Sequence, residues 1–426
     1  MIKKSGYADL PLHTGTVPKW LADRMMLLGT EIIEALVIYF GRKEVLVRLS
    51  DPLWFQSLGC VLGMDWHSSG ITTSVMYALK RGLNPRAKEL GIAVCGGRGR
   101  YSKKTPEELK FLSEISSLDA DSLIHCSRLA AKVDGCAVQD GFNLYQHNFI
   151  VSCDGDWTVV QQGMNTAERK ARRYHWSSSS LRSFVDEPHS GVTGENQGLI
   201  LNLSAQEAEN TRQKILTVSK EKPEIILGEI KKMGSGDCLQ LDLFNDSQKK
   251  SLEYSSFSEK VSVVESRNIS MPQRHELRPE DIDLKRLGAV LALSSEAGNK
   301  NFEELLLTPG LGPRTLQSLT LVSEVIYGTP SRFTDPARFS FAHGGKDGHP
   351  FPVPVKIYDE TIRILGKSIE KAKLNVKDKD SCLYRLEKTA RYVEENCNPQ
   401  ADFYKAIERE KENSRLWGGR TVGKNC

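Results

Sequence analysis

The stretch 142–162 constrains the fold most strongly, because it contains two runs in which apolar and polar residues alternate. Alternation with a period of two is typical of a β-strand that buries one face. Between the runs lie Asp154 and Gly155, a pair that favours a two-residue type I′ turn. The sequence therefore predicts an antiparallel hairpin with His147 opposite Gln162.

Helical patterns surround this hairpin. An apolar helical pattern begins after Pro18 and ends at Gly41, and Gly91 opens a short apolar run typical of a buried strand. Beyond residue 280 the patterns are mainly helical. We therefore predict an α+β fold: a mixed N-terminal domain with an antiparallel β-hairpin, followed by a mainly α-helical C-terminal domain.

The 426 residues are enough for two or three domains. Between residues 234 and 279 the periodicity fades among Ser, Lys, Asp and Glu, which is typical of a linker. The predicted segments are 1–200 (α+β, catalytic), 201–233 (a connecting helix), 234–279 (the linker), 280–412 (helical) and 413–426 (a tail).

Composition limits the possible partners and compartments. The net charge is only +4, so any nucleic-acid surface must be a local basic patch. The 9 cysteines are dispersed without a C-x-x-C pair, which favours reduced thiols over a zinc site. Neither a signal peptide nor an apolar run long enough to span a membrane is found, so we expect a cytoplasmic protein with no membrane partner.

Residues 308–315, with the sequence TPGLGPRT, lie between two helical patterns. This arrangement resembles the helix–hairpin–helix element of DNA-repair proteins. Gly310 and Gly312 would allow close approach to a phosphate, and the following helix, which carries Arg314, would point its N-terminus at that anion. We therefore predict a sequence-independent grip on nucleic acid, most simply DNA, and a nucleoid-associated location.

A second candidate for phosphate contact is the loop that follows the Gly91 strand. It holds three glycines and four cations, and Thr105 and Glu108 after it predict a capping box that starts a helix. The alternative interpretation is an exposed basic turn. The full set of cations predicted to contact nucleic acid is Arg98, Arg100, Lys103, Lys104, Arg128, Arg172, Arg173, Arg314 and Lys346.

Carboxylates and histidines cluster around the hairpin. Asp134, Asp140 and His147 are predicted to bind Mg²⁺ or Mn²⁺ and, with His175 and Lys132, to cleave a phosphodiester bond. The alternative is that the histidines are hydrogen-bonded strand residues and the aspartates cap turns.

Other functions stay open at this point. Lys132 begins a K-x-D-G match to the nucleotide-binding motif of DNA and RNA ligases. Asp335 follows the 308–315 segment at a distance similar to that of the catalytic aspartate in helix–hairpin–helix DNA glycosylases, which would make the protein a base-excision enzyme. The chain could also be a non-catalytic DNA-binding module that recruits partners, or an enzyme acting on a small phosphate compound.

Several long motifs together resemble one archaeal and bacterial family, domain-of-unknown-function family seven-six-three. The resemblance covers most of the chain and implies family membership without implying an activity. Its motifs are 8–13 (ADLPLH), 49–52 (LSDP), 63–70 (GMDWHSSG), 139–141 (QDG), 159–165 (VVQQGMN), 171–176 (ARRYHW) and 339–350 (FSFAHGGKDGHP).

Overall fold

The computed structural model describes residues 6–7, 10–11, 17–65, 69–114, 116–234, 284–337, 339–340 and 355–396. The predicted α+β class is confirmed: antiparallel strands lie in the N-terminal part and helices follow in the C-terminal half. The chain divides into two compact units, unit 1 (residues 1–209 and 332–426) and unit 2 (residues 210–331). The helical segment predicted at 280–412 is thus shared between the two units, and the linker predicted at 234–279 lies almost entirely outside the described residues.

Unit 1 is built on a mainly antiparallel sheet whose central strands are the longest. Its order is β1-β11-β8-β7-β6-β5-β3, with β2 also paired to β7, and a smaller sheet has the order β10-β9-β4. The strands are β1 Gly6–Tyr7, β2 Leu10–Pro11, β3 Ile92–Arg98, β4 Val138–Gln139, β5 Asn143–Ser152, β6 Trp157–Asn165, β7 Lys170–Ser177, β8 Gly191–Thr193, β9 Leu199–Asn202, β10 Phe333–Thr334 and β11 Phe339–Ser340.

Helices are described in both units. In unit 1 they are α1 Lys19–Phe40, α2 Arg42–Leu49, α3 Pro52–Val61, α4 Gly70–Leu83, α5 Ala87–Leu90, α6 Thr105–Glu114, α7 Ala120–Lys132, α13 Val355–Lys371 and α14 Val376–Asn396. In the described part of unit 2 there are four helices, and α8 begins at the boundary between the units: α8 Glu209–Lys220, α9 Pro223–Gly234, α10 Leu284–Ala297, α11 Phe302–Leu307 and α12 Pro313–Tyr327. Among the described helices, none has the length and apolar character needed to cross a bilayer.

The predicted hairpin is present as β5 and β6, but its predicted register is wrong by one residue. Ser152 and Asp156 pair across a three-residue loop, and Gly155 adopts a positive φ of 85° within it. A loop of three residues with glycine at the left-handed position is the next commonest way to close a hairpin. As a result His147 lies opposite Gln161 rather than Gln162.

The two faces of the unit 1 sheet are covered differently. One face carries Ile150 and Val160, which join a large apolar core contributed by α1 to α4, α13 and α14. On the opposite face α7 crosses β5 and β6, and Asp119 caps its N-terminus by accepting a hydrogen bond from the Ser122 amide. Buried polar groups on the α7 side therefore need partners within the protein.

Candidate active site

The register of the central strands aligns polar side chains into two rows, one on each face of the sheet. Residues that pair directly in an antiparallel sheet project their side chains to the same side. The row beneath α7 is His147, Gln161 and Tyr174, and the row beneath the large helical layer is Gln146, Gln162 and Arg173. Each row crosses three strands, so residues far apart in sequence become neighbours.

Ser127 of α7 and His147 of β5 form a hydrogen-bonded pair, with 2.8 Å between Ser127 Oγ and His147 Nε2. The other ring nitrogen, Nδ1, lies 2.7 Å from Gln161 Oε1. The Gln161 amide nitrogen donates to Asp134 Oδ2 (2.5 Å) and to the Ala130 carbonyl (3.2 Å), which fixes the amide oxygen toward the ring. Because an amide oxygen only accepts hydrogen bonds, Nδ1 of the neutral ring carries the hydrogen. Nε2 then accepts a hydrogen bond from the Ser127 hydroxyl.

Asp134 anchors this row from the π-helical turn that follows α7. Its side chain is fully buried, and both oxygens accept hydrogen bonds. Besides Gln161, the Trp176 indole donates to Oδ2 at 2.9 Å, and His189 Nε2 lies 2.5 Å from Oδ1. Asp134 therefore holds the end of a polar chain that runs through Gln161 and His147 to Ser127.

A pocket of about 250 Å³ opens onto this chain. Ser127, His147 and Gln161 line it, together with Lys103 and Arg128. Both cations are exposed and make no ion pair with another described residue. Burial lowers the pKa of His147 below its usual 6.5, so the ring is neutral at physiological pH. The pocket thus combines a neutral imidazole, a hydroxyl and two cations that the described residues leave without an ion pair.

Asp140 belongs to a different buried group, centred on Arg172 of β7. The guanidinium binds Asp140 Oδ2 at 2.7 Å and bridges both oxygens of Asp335, at 3.0 and 2.8 Å. Tyr174 also donates to Asp140, at 2.6 Å. All four side chains are buried, and although burial opposes charge, the two carboxylates raise the pKa of Arg172. Asp335 also accepts from the amide of Ala337, so it is held as an ion-pair partner and turn cap.

Arg173 and His175 point to the opposite face, toward α3. Arg173 donates to His175 Nε2 at 2.9 Å and to Gln56 Oε1 at 2.8 Å, and its guanidinium stacks over the Phe55 ring. His175 Nδ1 lies 3.0 Å from the carbonyl oxygen of Leu49. Arg173 is fully buried and pairs with no carboxylate of the described residues, and burial lowers its pKa to about 9. His175 and His147 are therefore on different faces and cannot share one site.

Residues 6–353 match the model of a family described as protein of unknown function (DUF763). The chain belongs to this family. The matched range contains both polar rows, the pocket and unit 2. Neither the search of curated proteins nor that of solved structures gave a match.

In this DUF763 chain the predicted phosphate cradle takes a more ordered form. Residues 99–104 form a 3-10 helix that runs directly into α6, so Thr105 is already helical. The predicted capping box is wrong, because the Glu108 carboxylate accepts from the amide of Gly96 at 2.6 Å and pairs with Lys80. This arrangement fixes the end of β3 and brings Lys103 to the pocket.

The other predicted contact residues of the DUF763 chain lie in several places. Arg98 stacks on Tyr145, and Arg100 and Lys104 stack on the exposed ring of Tyr101, beside the pocket. Lys132 is half-buried at the end of α7. In unit 2, Gly310 and Arg314 are exposed, and Gly312 is the N-cap of α12. Lys346 lies outside the described residues.

The predicted metal set of Asp134, Asp140 and His147 is divided between two buried groups, one around Gln161 and one around Arg172. Asp134 and His147 both bind Gln161, whereas Asp140 binds Arg172. In the part of the DUF763 chain that the structure describes, no group of three or more His, Cys, Asp or Glu is arranged to hold a metal ion.

Sequence reasoning missed Ser127 and Gln161. A signal for Ser127 was present, because it follows Leu123 and Ile124 by four and three residues and precedes Asp134 by seven. These spacings place all of them on one helical face, where a serine and an aspartate interrupt an apolar stripe. For Gln161 there was no such signal, because Gln162 beside it is the same residue and only the register separates them.

Proposed function

We propose that this protein is a nucleic-acid-processing enzyme that breaks a phosphodiester bond in the pocket beneath α7. The observation that carries the proposal is the combination of the neutral His147 ring with Lys103 and Arg128 in one pocket. A neutral imidazole can accept a proton in the reaction. The two cations suit the non-bridging oxygens of a phosphate and the charge that develops on them.

Unit 2 supports a grip on the nucleic-acid backbone in this proposal. α11 and α12 are joined by residues 308–312, where Gly310 is exposed and has a φ of 81°. The N-cap of the 15-residue α12 is Gly312, which has no side chain, and Arg314 is exposed in the first turn of the helix. A helix N-terminus beside an exposed cation favours an anion.

The test is cleavage of labelled nucleic acid by the purified full-length chain. Duplex, single-stranded and branched DNA and single-stranded RNA are each incubated with Mg²⁺, with Mn²⁺ and with EDTA, which also decides whether a divalent ion takes part. We expect cleavage of at least one substrate, reduced about 100-fold or more when Lys103 and Arg128 are both changed to Ala, because each removes a charge-stabilising contact. Failure to cleave any substrate under all three conditions would refute the proposal.

A matched control separates the pocket from general electrostatics. Lys43 and Lys88 are exposed lysines of unit 1 that lie outside the pocket and outside every ion pair among the described residues. The double change of these lysines to Ala removes the same net charge. It should leave cleavage within a few-fold of wild type. Equal losses in both double variants would assign the effect to net charge instead of to the pocket.

A further inference from the structure

We infer that Ser127 is the nucleophile of this pocket, that His147 is its general base, and that cleavage proceeds through a phosphodiester bond to Ser127 Oγ. This inference rests on the proposed function and names the reacting atoms of the same site. It differs from the prediction made from sequence, in which a metal ion activates water.

The direction of the hydrogen bonds supports this assignment. Gln161 donates to two oxygens, so its own oxygen accepts from His147 Nδ1, and Nε2 is left to accept from the Ser127 hydroxyl. The hydroxyl hydrogen therefore already points at the group that would remove it, across 2.8 Å. Nucleophile and base within hydrogen-bond reach, with the base oriented by a third group, is the general arrangement for an activated hydroxyl.

Gln161 is a positioning residue, and Asp134 acts through it. When His147 takes the proton, the imidazolium still donates Nδ1–H to the Gln161 oxygen. The amide takes no proton, so the charge stays on the ring, and the nearby Asp134 carboxylate favours that charge. Asp134 is itself held by Trp176 and His189.

The reaction balances without another reactant besides water. The Ser127 Oγ–H proton moves to His147 Nε2, Oγ bonds to phosphorus, and the bond from phosphorus to one bridging oxygen breaks. That leaving oxygen takes the proton from Nε2. Water then gives a proton to Nε2 and bonds to phosphorus, the bond to Oγ breaks, and Oγ takes the proton back. Lys103 and Arg128 lie where non-bridging oxygens in the pocket would be neutralised.

The experiment uses the full-length chain with two small probes, diisopropyl fluorophosphate and bis(4-nitrophenyl) phosphate. The first modifies activated serines whatever their natural substrate, and the second releases a coloured product in each turnover. We expect the fluorophosphate adduct to map to Ser127 by peptide mass spectrometry. We also expect an initial burst of one 4-nitrophenolate per protein, because the covalent intermediate accumulates.

Variants on the same helix and strand provide the comparison. Ser127→Ala and His147→Gln should each abolish labelling and reduce turnover about 1000-fold or more. The controls are Ser122→Ala and His125→Gln, which change exposed residues of α7 and should behave as wild type. Circular dichroism and the unfolding midpoint of each variant show whether it is folded. Ser127→Cys is a further variant of similar side-chain size that still carries a nucleophilic atom at this position.

The outcomes separate this inference from the proposed function. Cleavage of nucleic acid that persists in folded Ser127→Ala, or wild-type protein that shows neither adduct nor burst, overturns the serine nucleophile and leaves the proposed function standing. An adduct on Ser127 in a protein that cleaves no nucleic acid supports the nucleophile and refutes the proposed substrate.

Discussion

His147 is a buried imidazole whose pKa lies below 6.5, and this has a consequence for stability. As pH falls below 6.5, the unfolded histidine takes up a proton while the folded ring stays neutral, so the unfolded state is favoured. In this window wild type should lose up to about 1.4 kcal/mol per pH unit more than His147→Gln. Below the folded-state pKa the difference becomes constant.

Urea unfolding between pH 7.5 and 5 would measure this difference. His125→Gln is the matched control, since it makes the same substitution at an exposed position on α7. If His147→Gln and His125→Gln show the same pH dependence as wild type, the imidazole is not held neutral by burial.

Arg172 is the second side chain with a testable energetic role. Its removal leaves the buried carboxylates of Asp140 and Asp335 without a counter-charge. Breaking a buried ion pair from one side typically costs about 3–5 kcal/mol, so Arg172→Met should lower the free energy of unfolding by that amount. Arg182→Met changes an exposed arginine and should stay within about 0.5 kcal/mol of wild type. If Arg172→Met lowers the free energy of unfolding only slightly, the buried Asp140 and Asp335 side chains are stable without the guanidinium.

The polar residues singled out around the hairpin are buried in hydrogen-bonded groups, but the sequence did not predict which of them share a group. His147 and Asp134 do share a group, but their connection is Gln161, which became visible only through the register. Asp140 lies in the other group: its Oδ2 accepts from Arg172, and its Oδ1 caps a turn by accepting from the Phe142 amide at 3.0 Å. Sequence proximity did not distinguish these outcomes.

Among the structural elements, the end of β3 is sterically confined at Gly96. A Cβ at Gly96 would lie 2.3 Å from the His147 carbonyl oxygen and 2.6 Å from Thr105 Oγ1. Gly99 has a similar positive φ, of 58°, but open space around it. Gly96→Ala should therefore lose roughly 1–3 kcal/mol of stability more than Gly99→Ala, because it adds overpacking to the same backbone strain.

Thermal or urea unfolding of the two glycine variants tests this expectation. Since the clash is with the backbone of His147, Gly96→Ala should also lower turnover, whereas Gly99→Ala should not. Equal stabilities of the two variants would show that β3 can move away from β5 without cost.

The loop between α11 and α12 allows a matched test of the nucleic-acid grip. Gly310 and Gly328 lie at opposite ends of α12, with φ of 81° and 66°, and neither would meet a close clash on gaining a Cβ. Changing either to Val strains the backbone, but only Gly310 is at the proposed contact. DNA affinity measured by fluorescence anisotropy should fall about tenfold for Gly310→Val and little for Gly328→Val. Equal affinities would make this loop purely structural.

Periodicity was sufficient to predict the long elements. α1 ends before Gly41 as expected, and the β5–β6 hairpin is present. The details that failed concern local geometry that several turn types can satisfy. Asp154 and Gly155 are compatible with a two-residue or a three-residue loop, and Glu108 can bond to its own helix or to Gly96. Tertiary contacts decide between such alternatives.

For the whole molecule, the net charge of +4 implies that affinity for nucleic acid depends on local cations. Each phosphate contact contributes about 0.7–0.9 to the slope of log affinity against log salt concentration. Changing Lys103 and Arg128 to Ala should therefore reduce this slope by roughly 1–2. The Lys43 and Lys88 double variant should keep the wild-type slope, and a wild-type slope in the pocket variant would place the phosphate contacts elsewhere.

The division into units was the hardest feature to predict from sequence. A unit formed by residues 1–209 and 332–426 is discontinuous, and β10 and β11 return to sheets that began more than 100 residues earlier. Short strands such as Phe333–Thr334 have too few residues for a periodic signal. The helical patterns therefore predicted that the C-terminal half is mainly helical, but not that residues 332–426 belong to the same unit as residues 1–209.

The strand β6 has an unusual property for the folding of this sheet. Val159-Val160 and Gln161-Gln162 are doublets, so a hairpin that slips by one residue would present the same side chains to each face. Pairing at these positions therefore does not by itself discriminate against the slipped hairpin. Gly163 can reject it, because in the native register it faces Phe142, where a Cβ would lie only 2.9 Å from the Phe142 Cβ. Selection of the native register thus depends on the ends of the strand and not on the residues that line the pocket.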